Sequence, residues 1–143
     1  MYDETNVFAR ILRNELPCHK VYETGHVLAF MDVMPRSDGH ILVIPKAKVR
    51  TIFDIADEDL QHLFRAVQLI SRAAMEAMSS DGVSLIQSNE SAAGQVVFHM
   101  HVHVIPRWTG VEMRPHTSAM EEPEVLESIA ARYRRVIEQM DGR

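Results

Sequence analysis

Apolar residues recur every three or four positions in three stretches of the chain, and this spacing predicts three helices. The first helix is predicted over Asn6–Glu15, where Asn6 is a capping residue and Pro17 ends the helix. The second, Asp57–Met78, has an apolar stripe of Leu60, Leu63, Phe64, Val67, Ile70, Ala74, Met75 and Met78. The third is predicted over Glu121–Met140, with an apolar face of Val125, Ile129, Tyr133, Val136 and Met140.

Five shorter apolar segments, bounded by turn-forming residues, predict strands. They are Lys20–Glu23, Val27–Met31, His40–Ile44, Val83–Gln87 and Val97–Ile105. Loops are predicted over 32–39 and 88–95, which contain glycine and polar residues. Because the connections between successive strands are short, antiparallel pairing is expected. The predicted fold is α+β, a sheet of about five antiparallel strands with the helices packed on one face.

Composition predicts one globular domain over residues 1–143 and narrows the classes of function. Hydrophobic residues make up 46% and charged residues 24% of the chain, which is typical of globular proteins. No apolar run approaches the ~20 residues of a membrane span, and the acidic N-terminus lacks the pattern of a signal peptide. Fifteen basic and 20 acidic residues give a net charge of −5. This balance argues against partners such as nucleic acid or an anionic membrane.

Three of the eight histidines, His99, His101 and His103, occupy alternate positions of the last predicted strand. Alternation puts these side chains on one face of the strand, about 6.6 Å apart, and the apolar residues between them on the other. A neutral imidazole is a nucleophile, acid or base near pH 7, because its pKa lies close to 6.5. The histidine face is therefore a candidate for chemistry.

Three interpretations of this histidine strand compete. The first is structural, with the imidazoles as ordinary surface or core side chains of an amphipathic strand. The second is a metal site, because His-x-His pairs ligate zinc and His40 is available as a further ligand. No acidic residue follows the histidine strand at a spacing that indicates a further metal ligand. The third is phosphate chemistry with a histidine as nucleophile.

The loop that leads into the strand favours phosphate chemistry. It begins at Asn89 and contains Gly94 and Gln95. A glycine lets the backbone approach a ligand closely, and successive N–H groups in such a turn bind an anion. The Gln95 amide is a further hydrogen-bond donor.

At this point the chain resembles the histidine triad (HIT) superfamily, in its Hint-like branch. The mark of that family, His-x-His-x-His followed by two apolar residues, is present at 99–105, after Ala-Gly-Gln at 93–95 and before Pro-Arg at 106–107. A second block at 32–45, Asp-Val-Met-Pro-Arg-Ser-Asp-Gly-His-Ile-Leu-Val-Ile-Pro, also matches. So does the opening, Phe-Ala-Arg-Ile at 8–11 with Leu-Pro at 16–17. The resemblance covers about residues 6–107, and the loop and helix of 108–143 lie outside it.

The resemblance implies a homodimer whose sheet continues across the interface, and an enzyme that hydrolyses or transfers nucleoside monophosphates without a metal or another cofactor. His101 would attack the α-phosphorus and form a nucleotidyl-histidine, which water then resolves. His99 and His103 would contact phosphate oxygens or the leaving group, and His40 would orient the triad from behind. A nucleophile that divides one hard step into two is the pattern of covalent catalysis.

The resemblance also implies how the nucleotide binds. The phosphate site would be lined by Asn89, Gly94, Gln95 and Val96. Asp32, whose carboxylate has two acceptor oxygens, would hold the ribose hydroxyls. The purine slot would consist of Phe8, Ile11, Leu16, Phe30, Val33 and Leu42. Simpler roles stay open, with Asp32 as a turn acceptor, His40 as a strand-end histidine and the apolar residues as core.

The sequence departs from the family pattern at two sites. Val96 stands where many relatives have Ser or Thr, so slower turnover of poor leaving groups is expected. Some relatives hold a structural zinc through two cysteines and a histidine, but Asn6, Ala9 and Lys48 occupy the matching positions. No zinc is therefore predicted. The one cysteine, Cys18, excludes an internal disulfide and fits a reducing compartment, so a cytoplasmic location is predicted.

The predicted activity is cleavage at the α-phosphate of a purine nucleotide, with nucleoside phosphoramidates or aminoacyl adenylates as substrates. One alternative is hydrolysis of dinucleoside polyphosphates, with Arg107 as the contact for an extra phosphate. Another is a nucleotide-binding scaffold whose catalysis is incidental. The other histidines have no comparable context and are expected at the surface, namely His19, His26, His62 and His116.

Overall fold

A computed structural model describes residues 1–116 and 119–141 of the chain. Five antiparallel strands form one sheet in the order β1-β2-β3-β5-β4. The strands are β1 (Lys20–Glu23), β2 (Val27–Met31), β3 (Ile41–Pro45), β4 (Gly82–Ile86) and β5 (Val102–Arg107). The helices are α1 (Val7–Leu12), α2 (Asp57–Ala77) and α3 (Pro123–Asp141), and one 3-10 turn spans Ser91–Ala93. The predicted α+β class with five antiparallel strands is confirmed.

The centre of the sheet is covered on both faces, which explains why β2 and β3 are buried at every position. Alternate residues of these strands, such as Ala29 and Val43, pack with α2 and α3 in the main core. The intervening residues, such as Phe30 and Leu42, pack with Phe8 of α1 in a smaller cluster. Helix α1 therefore lies on the face opposite to the two long helices, and the prediction that all helices share one face is wrong.

The termini of α1 and α2 follow local signals in the sequence. The Asn6 side chain caps α1, because its Oδ1 accepts a hydrogen bond from Ala9 N at 2.9 Å. Helix α1 ends before the predicted Glu15, since Asn14 adopts a left-handed φ of 62° that no helix continues. Helix α2 has three acidic residues in its first turn, where the helix dipole favours negative charge. No helix in the described part of the chain is long and apolar enough to cross a membrane.

The buried faces of the long helices differ from the predicted stripes at a few positions. In α2, Phe64 is 40% and Met75 is 42% exposed, whereas Ala66 and Ala73 are buried. Small alanine side chains let the helix lie close to the sheet, so the larger residues at the margins of the stripe turn outward. In α3 the apolar face is Leu126, Ile129, Ala130, Tyr133 and Ile137, and the predicted Val125 is exposed.

Strand β5 begins later than the hydrophobic alternation predicts. The predicted strand over Val97–Ile105 is wrong for its first five residues, of which 97–99 form a bend, and regular pairing starts at Val102. Met100 N donates to Val49 O at 2.9 Å, and the His101 ring lies 2.7 Å from the His99 carbonyl oxygen. These contacts turn the chain before it enters the sheet. Of the three neighbouring histidines, only His103 belongs to a strand.

Helix α3 supports the loop that precedes β3, although its sequence lies outside the family-like blocks. Gly39 has a φ of +87°, and a Cβ atom there would lie 2.7 Å from Met78 Cγ. Only glycine fits this backbone conformation in this space. The buried Tyr133 hydroxyl donates to Gly39 O at 2.6 Å. The position of His40, the next residue, therefore depends on the C-terminal helix.

Candidate active site

A cavity of about 490 Å³ lies on the face of the sheet that α1 covers, a volume suited to a small organic ligand. One row of paired residues crosses the sheet along it, because Phe30 pairs with Leu42, Leu42 with His103, and His103 with Ile86. All four line the cavity. The antiparallel register thus places one histidine among apolar side chains.

Most of the residues predicted for the site line this cavity. They are His40, His101, His103, Asp32, Gly94, Gln95, Val96, Phe8, Ile11, Phe30, Val33 and Leu42. Three others lie elsewhere. His99 is buried behind the cavity, Asn89 bonds to the loop of residues 50–54, and Leu16 lines a separate depression beside α1. The structure therefore assembles the motifs at one place but moves these three out of it.

The hydrogen bonding of His101 determines its tautomer. The His99 carbonyl oxygen can only accept, so Nδ1 of His101, 2.7 Å away, carries the proton and donates it. Nε2 then keeps its lone pair, and no residue in the described part of the chain bonds to it. Burial lowers the pKa of His101, so the ring is neutral at pH 7. Phe8 packs edge-on against the ring, with centroids 4.9 Å apart, and holds its orientation.

His103 has the opposite tautomer, which His40 determines. Arg36 N donates to His40 Nδ1 at 3.0 Å, so the proton of His40 lies on Nε2. That Nε2–H donates to His103 Nδ1 at 2.9 Å, which leaves the proton of His103 on its own Nε2. Burial lowers the pKa of His40 to about 3 and that of His103 to about 4, so both rings are neutral at pH 7. The cavity therefore has one imidazole that accepts and one that donates.

Asp32 lies beside this pair of rings. Its Oδ2 is 3.4 Å from His40 Nε2 and 4.0 Å from His103 Nδ1, and its Oδ1 accepts from Met34 N at 2.8 Å. Burial raises the pKa of this carboxyl group. Asp32, His40 and His103 offer three ligand atoms within 4.8 Å of one another. A cation would have to break the 2.9 Å hydrogen bond between the two rings, so the arrangement fits a hydrogen-bonded chain that orients His103 better than a metal site.

His99 is held on both sides, which the alternation pattern does not predict. Its ring is fully buried, with Nε2 2.8 Å from Pro45 O and Nδ1 2.6 Å from the Tyr2 hydroxyl. Because the carbonyl only accepts, Nε2 carries the proton and Tyr2 donates to Nδ1. Burial lowers the pKa of His99 to about 4. Neither nitrogen is available to a phosphate oxygen, in contrast to the prediction, and His99 instead positions the carbonyl group that orients His101.

The amide side chains of the loop over 88–95 bond within the protein. Gln95 Oε1 accepts from Glu90 N at 2.7 Å, and Gln95 Nε2 donates to Arg50 O at 2.8 Å. Asn89 Oδ1 accepts from Ile52 N at 2.8 Å. These two predicted phosphate donors therefore stabilise the loop. The backbone N–H groups of Val96 and Val97 make no hydrogen bond with the described part of the chain. They are therefore the donors that can bind a phosphate.

Backbone strain marks the same loop. Glu90 adopts φ 72° and ψ 160°, a region that glycine favours and that costs other residues on the order of 1–3 kcal/mol. The Arg50 guanidinium holds the Glu90 carboxylate at 2.8 Å. The surrounding contacts thus impose a strained loop beside the cavity, which is typical of functional sites.

Some residues in and around the cavity had no signal in the sequence. Arg36 and His116 line it, and His116 is also exposed, as predicted. Arg114 N donates to Arg36 O at 2.7 Å, so the segment after β5 folds back onto the loop before β3. Arg107 does not line the cavity, because its guanidinium donates to Ser84 Oγ at 3.0 Å. The predicted contact of Arg107 with an extra phosphate is therefore not supported.

The positions that match the zinc ligands of some relatives do not fit a zinc ion. Asn6 caps α1, Ala9 has no donor atom, and the Lys48 ammonium pairs with Glu4. A structural zinc requires thiolate or imidazole ligands. None of the three positions has a cysteine or a histidine.

Comparison with known proteins identifies the family. The family model described as "HIT domain" matches residues 13–110 of the chain. The chain is 38% identical over 122 residues to the adenylylsulfatase HINT3 of Arabidopsis thaliana, a match that covers 81% of this chain and 62% of that protein. It is 35% identical over 103 residues to the purine nucleoside phosphoramidase of Escherichia coli (strain K12), which covers 71% of this chain and 87% of that protein.

A solved structure supports the same assignment. The crystal structure of a Hit-like protein involved in cell-cycle regulation from Bartonella henselae superposes on the chain with a TM-score of 0.91 and 43% sequence identity. The match covers 94% of this chain and 98% of that one.

Proposed function

The chain belongs to the HIT family of nucleotide hydrolases and transferases, and from this premise we propose that it cleaves purine nucleotides at the α-phosphate through a nucleotidyl-histidine on His101. One observation carries the proposal. His101 presents a lone pair to the cavity and His103 presents an N–H, because their partners impose opposite tautomers. The first suits attack on phosphorus, and the second suits a hydrogen bond that stabilises the charge on a leaving group.

The first chemical step forms the bond from His101 Nε2 to the α-phosphorus. The bond from phosphorus to the leaving nitrogen or oxygen breaks. The leaving atom accepts a hydrogen bond from His103 Nε2–H and takes its proton from solvent water. The positive charge that develops on His101 is stabilised by its Nδ1–H, which donates to the His99 carbonyl at 2.7 Å. His40 donates to His103 Nδ1 throughout and keeps that ring oriented.

The second step returns the enzyme to its starting state. A water molecule adds its hydroxyl to phosphorus and gives its other proton to the solvent, while the bond from His101 to phosphorus breaks. The products are the nucleoside monophosphate and the neutral histidine pair. The phosphate oxygens accept hydrogen bonds from the free backbone N–H groups of Val96 and Val97.

The apolar half of the cavity supports a purine base. Phe8 and Phe30 pack edge-to-face with centroids 5.6 Å apart, and Ile11 and Leu42 complete this wall. Phe8 contacts both Phe30 and the His101 ring, so a base seated here lies next to the nucleophile. The names of two relatives, an adenylylsulfatase and a purine nucleoside phosphoramidase, are consistent with a purine nucleotide.

We propose a homodimer as the active form. β4 is an edge strand of the sheet and exposes Leu85 by 51%. Phe64 and Met75, both more than a third exposed, lie eleven residues apart on one face of α2. An open strand edge and large apolar side chains favour association with a second copy. Sedimentation equilibrium at micromolar concentration is expected to give twice the chain mass, and a monomer would contradict the proposal.

Product analysis tests the proposed activity. The protein is incubated with adenosine 5′-phosphoramidate and, separately, with diadenosine polyphosphates, and AMP release is followed. Faster release from the phosphoramidate is expected, together with an adenylyl adduct on the His101 peptide after rapid quenching and mass spectrometry. Turnover with an adduct on another residue would overturn the role of His101. Preference for the polyphosphates would favour the alternative substrate class.

A further inference from the structure

A second group of histidines lies on the surface, where the turn between β1 and β2 meets the start of α2. The rings of His26 and His62 stack with centroids 3.7 Å apart and planes within 2° of parallel. Glu58 precedes His62 by one helical turn, and its Oε1 is 3.9 Å from His62 Nε2. Asp59 Oδ1 is 4.0 Å from His26 Nδ1. None of the four residues lines the cavity of His101.

The charges around this group favour a cation. Two carboxylates lie next to two imidazoles, and no lysine or arginine of the described residues pairs with either carboxylate. The exposed pair of His19 and Glu127 is different, because Arg134 also holds the Glu127 carboxylate. A positive ligand at His26 and His62 would therefore meet uncompensated negative charge.

The spacing of the ligand atoms is close to that of a metal site. One ligand atom from each of His26, Glu58 and His62 lies within 4.8 Å of the others. Neighbouring ligand atoms in a tetrahedral zinc site are ~3.4 Å apart, since zinc bonds to nitrogen and oxygen are about 2.0–2.1 Å long. The side chains are 43%, 78% and 38% exposed, so small rotations can bring the atoms together without disturbing the core.

We propose that His26, His62 and Glu58, with Asp59 as a neighbouring carboxylate, bind one divalent transition-metal ion of the zinc class. Two imidazoles with a carboxylate suit Zn²⁺, Ni²⁺ and Cu²⁺, whereas Mg²⁺ and Ca²⁺ prefer oxygen ligands only. The ion joins the turn between β1 and β2 to α2. Lys46 N donates to His26 O at 2.8 Å, and the preceding Pro45 holds His99, so the ion stiffens the strand ends that support the His99 ring.

Calorimetric titration with ZnCl₂ tests this site, using tag-free protein that has been treated with a chelator and dialysed. The wild type is expected to bind at one site that His62→Ala weakens at least ~10-fold, because one of two imidazole ligands is lost. Glu58→Gln is expected to weaken binding less. Circular dichroism and the thermal midpoint without metal establish that each variant folds.

Two matched controls decide where the ion binds. His19→Ala removes an exposed histidine that also pairs with a glutamate, and it is expected to leave the zinc affinity unchanged. His40→Gln disrupts the other group of potential ligands, Asp32, His40 and His103, and is also expected to leave it unchanged. The proposal fails if the wild type binds no zinc, if His62→Ala binds as tightly as the wild type, or if binding is lost in His40→Gln.

Discussion

The histidines of this chain occupy two contrasting settings. In the buried group, His40, His99 and His101 are at most 9% exposed, and the hydrogen bonds that hold the rings are 2.6–3.0 Å long. On the surface, the rings of His26 and His62 stack on each other, and the paired carboxylate oxygens are 3.9 and 4.0 Å away. Both groups consist of imidazoles near carboxylates, so the residue types alone do not distinguish them.

The difference shows what makes an imidazole fit for catalysis. A ring tied to a fixed carbonyl or N–H has one tautomer, one orientation and a neutral state, so its free nitrogen is ready as a nucleophile or a donor. An exposed ring is free to rotate. Such a ring has no assigned catalytic role, but it can turn toward a cation.

The strongest test of this comparison removes one histidine from each group. His101→Ala is expected to lower kcat for an adenosine phosphoramidate by ~10⁴-fold, because the nucleophile is lost. His62→Ala is expected to leave kcat unchanged. Steady-state kinetics of both variants measure this, with nucleotide binding to His101→Ala measured in parallel. If that variant binds nucleotide and keeps its role in cells, the scaffold interpretation holds instead.

Acid should distinguish the two groups through stability. The pKa values of His40, His99 and His103 are about 3 to 4 in the folded chain, against an ordinary value of 6.5. The unfolded chain therefore binds more protons between these values, and stability falls as the pH drops from 6.5 toward 4. Each ring contributes on the order of 3 kcal/mol over the full window. Urea unfolding at pH 7.5 and pH 4.5 measures the loss.

The same experiment on two variants assigns the loss to the buried rings. His62→Ala is expected to show the pH dependence of the wild type, while His103→Asn is expected to flatten it. A wild-type protein equally stable at both pH values would show that burial does not hold these rings neutral.

Two substitutions at position 40 test whether the hydrogen bond from His40 to His103 supports catalysis. His40→Met removes the N–H that sets the tautomer of His103, and a ~100-fold fall in kcat is expected, because His103 no longer presents its own N–H to the leaving group. His40→Gln offers an amide N–H in its place and is expected to regain part of the rate. The fall should be larger with a poor leaving group than with a good one. Equal losses in the two variants would indicate a packing role alone.

Tyr2→Phe tests whether the N-terminal segment supports the site. It leaves the buried His99 Nδ1 without its donor at 2.6 Å, so a loss of roughly 1–2 kcal/mol in stability is expected. A several-fold fall in kcat should accompany it, with KM little changed. Tyr22→Phe is the matched control, because the Tyr22 hydroxyl makes no hydrogen bond with the described residues. An unchanged Tyr2→Phe protein would show that Pro45 alone holds the ring.

The smallest expected effect concerns the leaving group. Val96 lines the cavity and is 83% exposed, so a serine there has room to donate a hydrogen bond. Val96→Ser is expected to raise the rate by roughly fivefold for poor leaving groups only, equivalent to one hydrogen bond. Val96→Ala controls for the smaller side chain. Rates that stay equal across amide, ester and anhydride leaving groups would contradict the idea.

Much of the fold followed from apolar periodicity because that spacing reflects burial directly. The first two strands and the start of α2 lie where they were predicted, as do the ends of β3 and β4 to within one residue. The motifs around His40 and His101 also met at one cavity, since antiparallel register joins β3 and β5. The two motifs, which are far apart in the sequence, are therefore neighbours in the sheet.

The errors arose where distant contacts override local alternation. Residues 97–101 leave the regular strand because Val49, Pro45 and Tyr2 bond to residues 99 and 100, and these partners lie about 50 to 100 positions earlier in the chain. The face on which α1 packs and the role of Tyr133 have the same origin. A pattern read along the chain contains no information on such partners.

The sequence by itself determined the α+β fold, the family and the histidines at the centre of the site, because spacing and motifs are local properties. Only the tertiary structure decided which histidine accepts and which donates. The His99 carbonyl sets the tautomer of His101, and the Arg36 N–H sets that of His103 through His40. These protons are placed by hydrogen bonds across the fold, and burial keeps the rings neutral. Their arrangement, rather than the number of histidines, gives the cavity a nucleophile beside a hydrogen-bond donor.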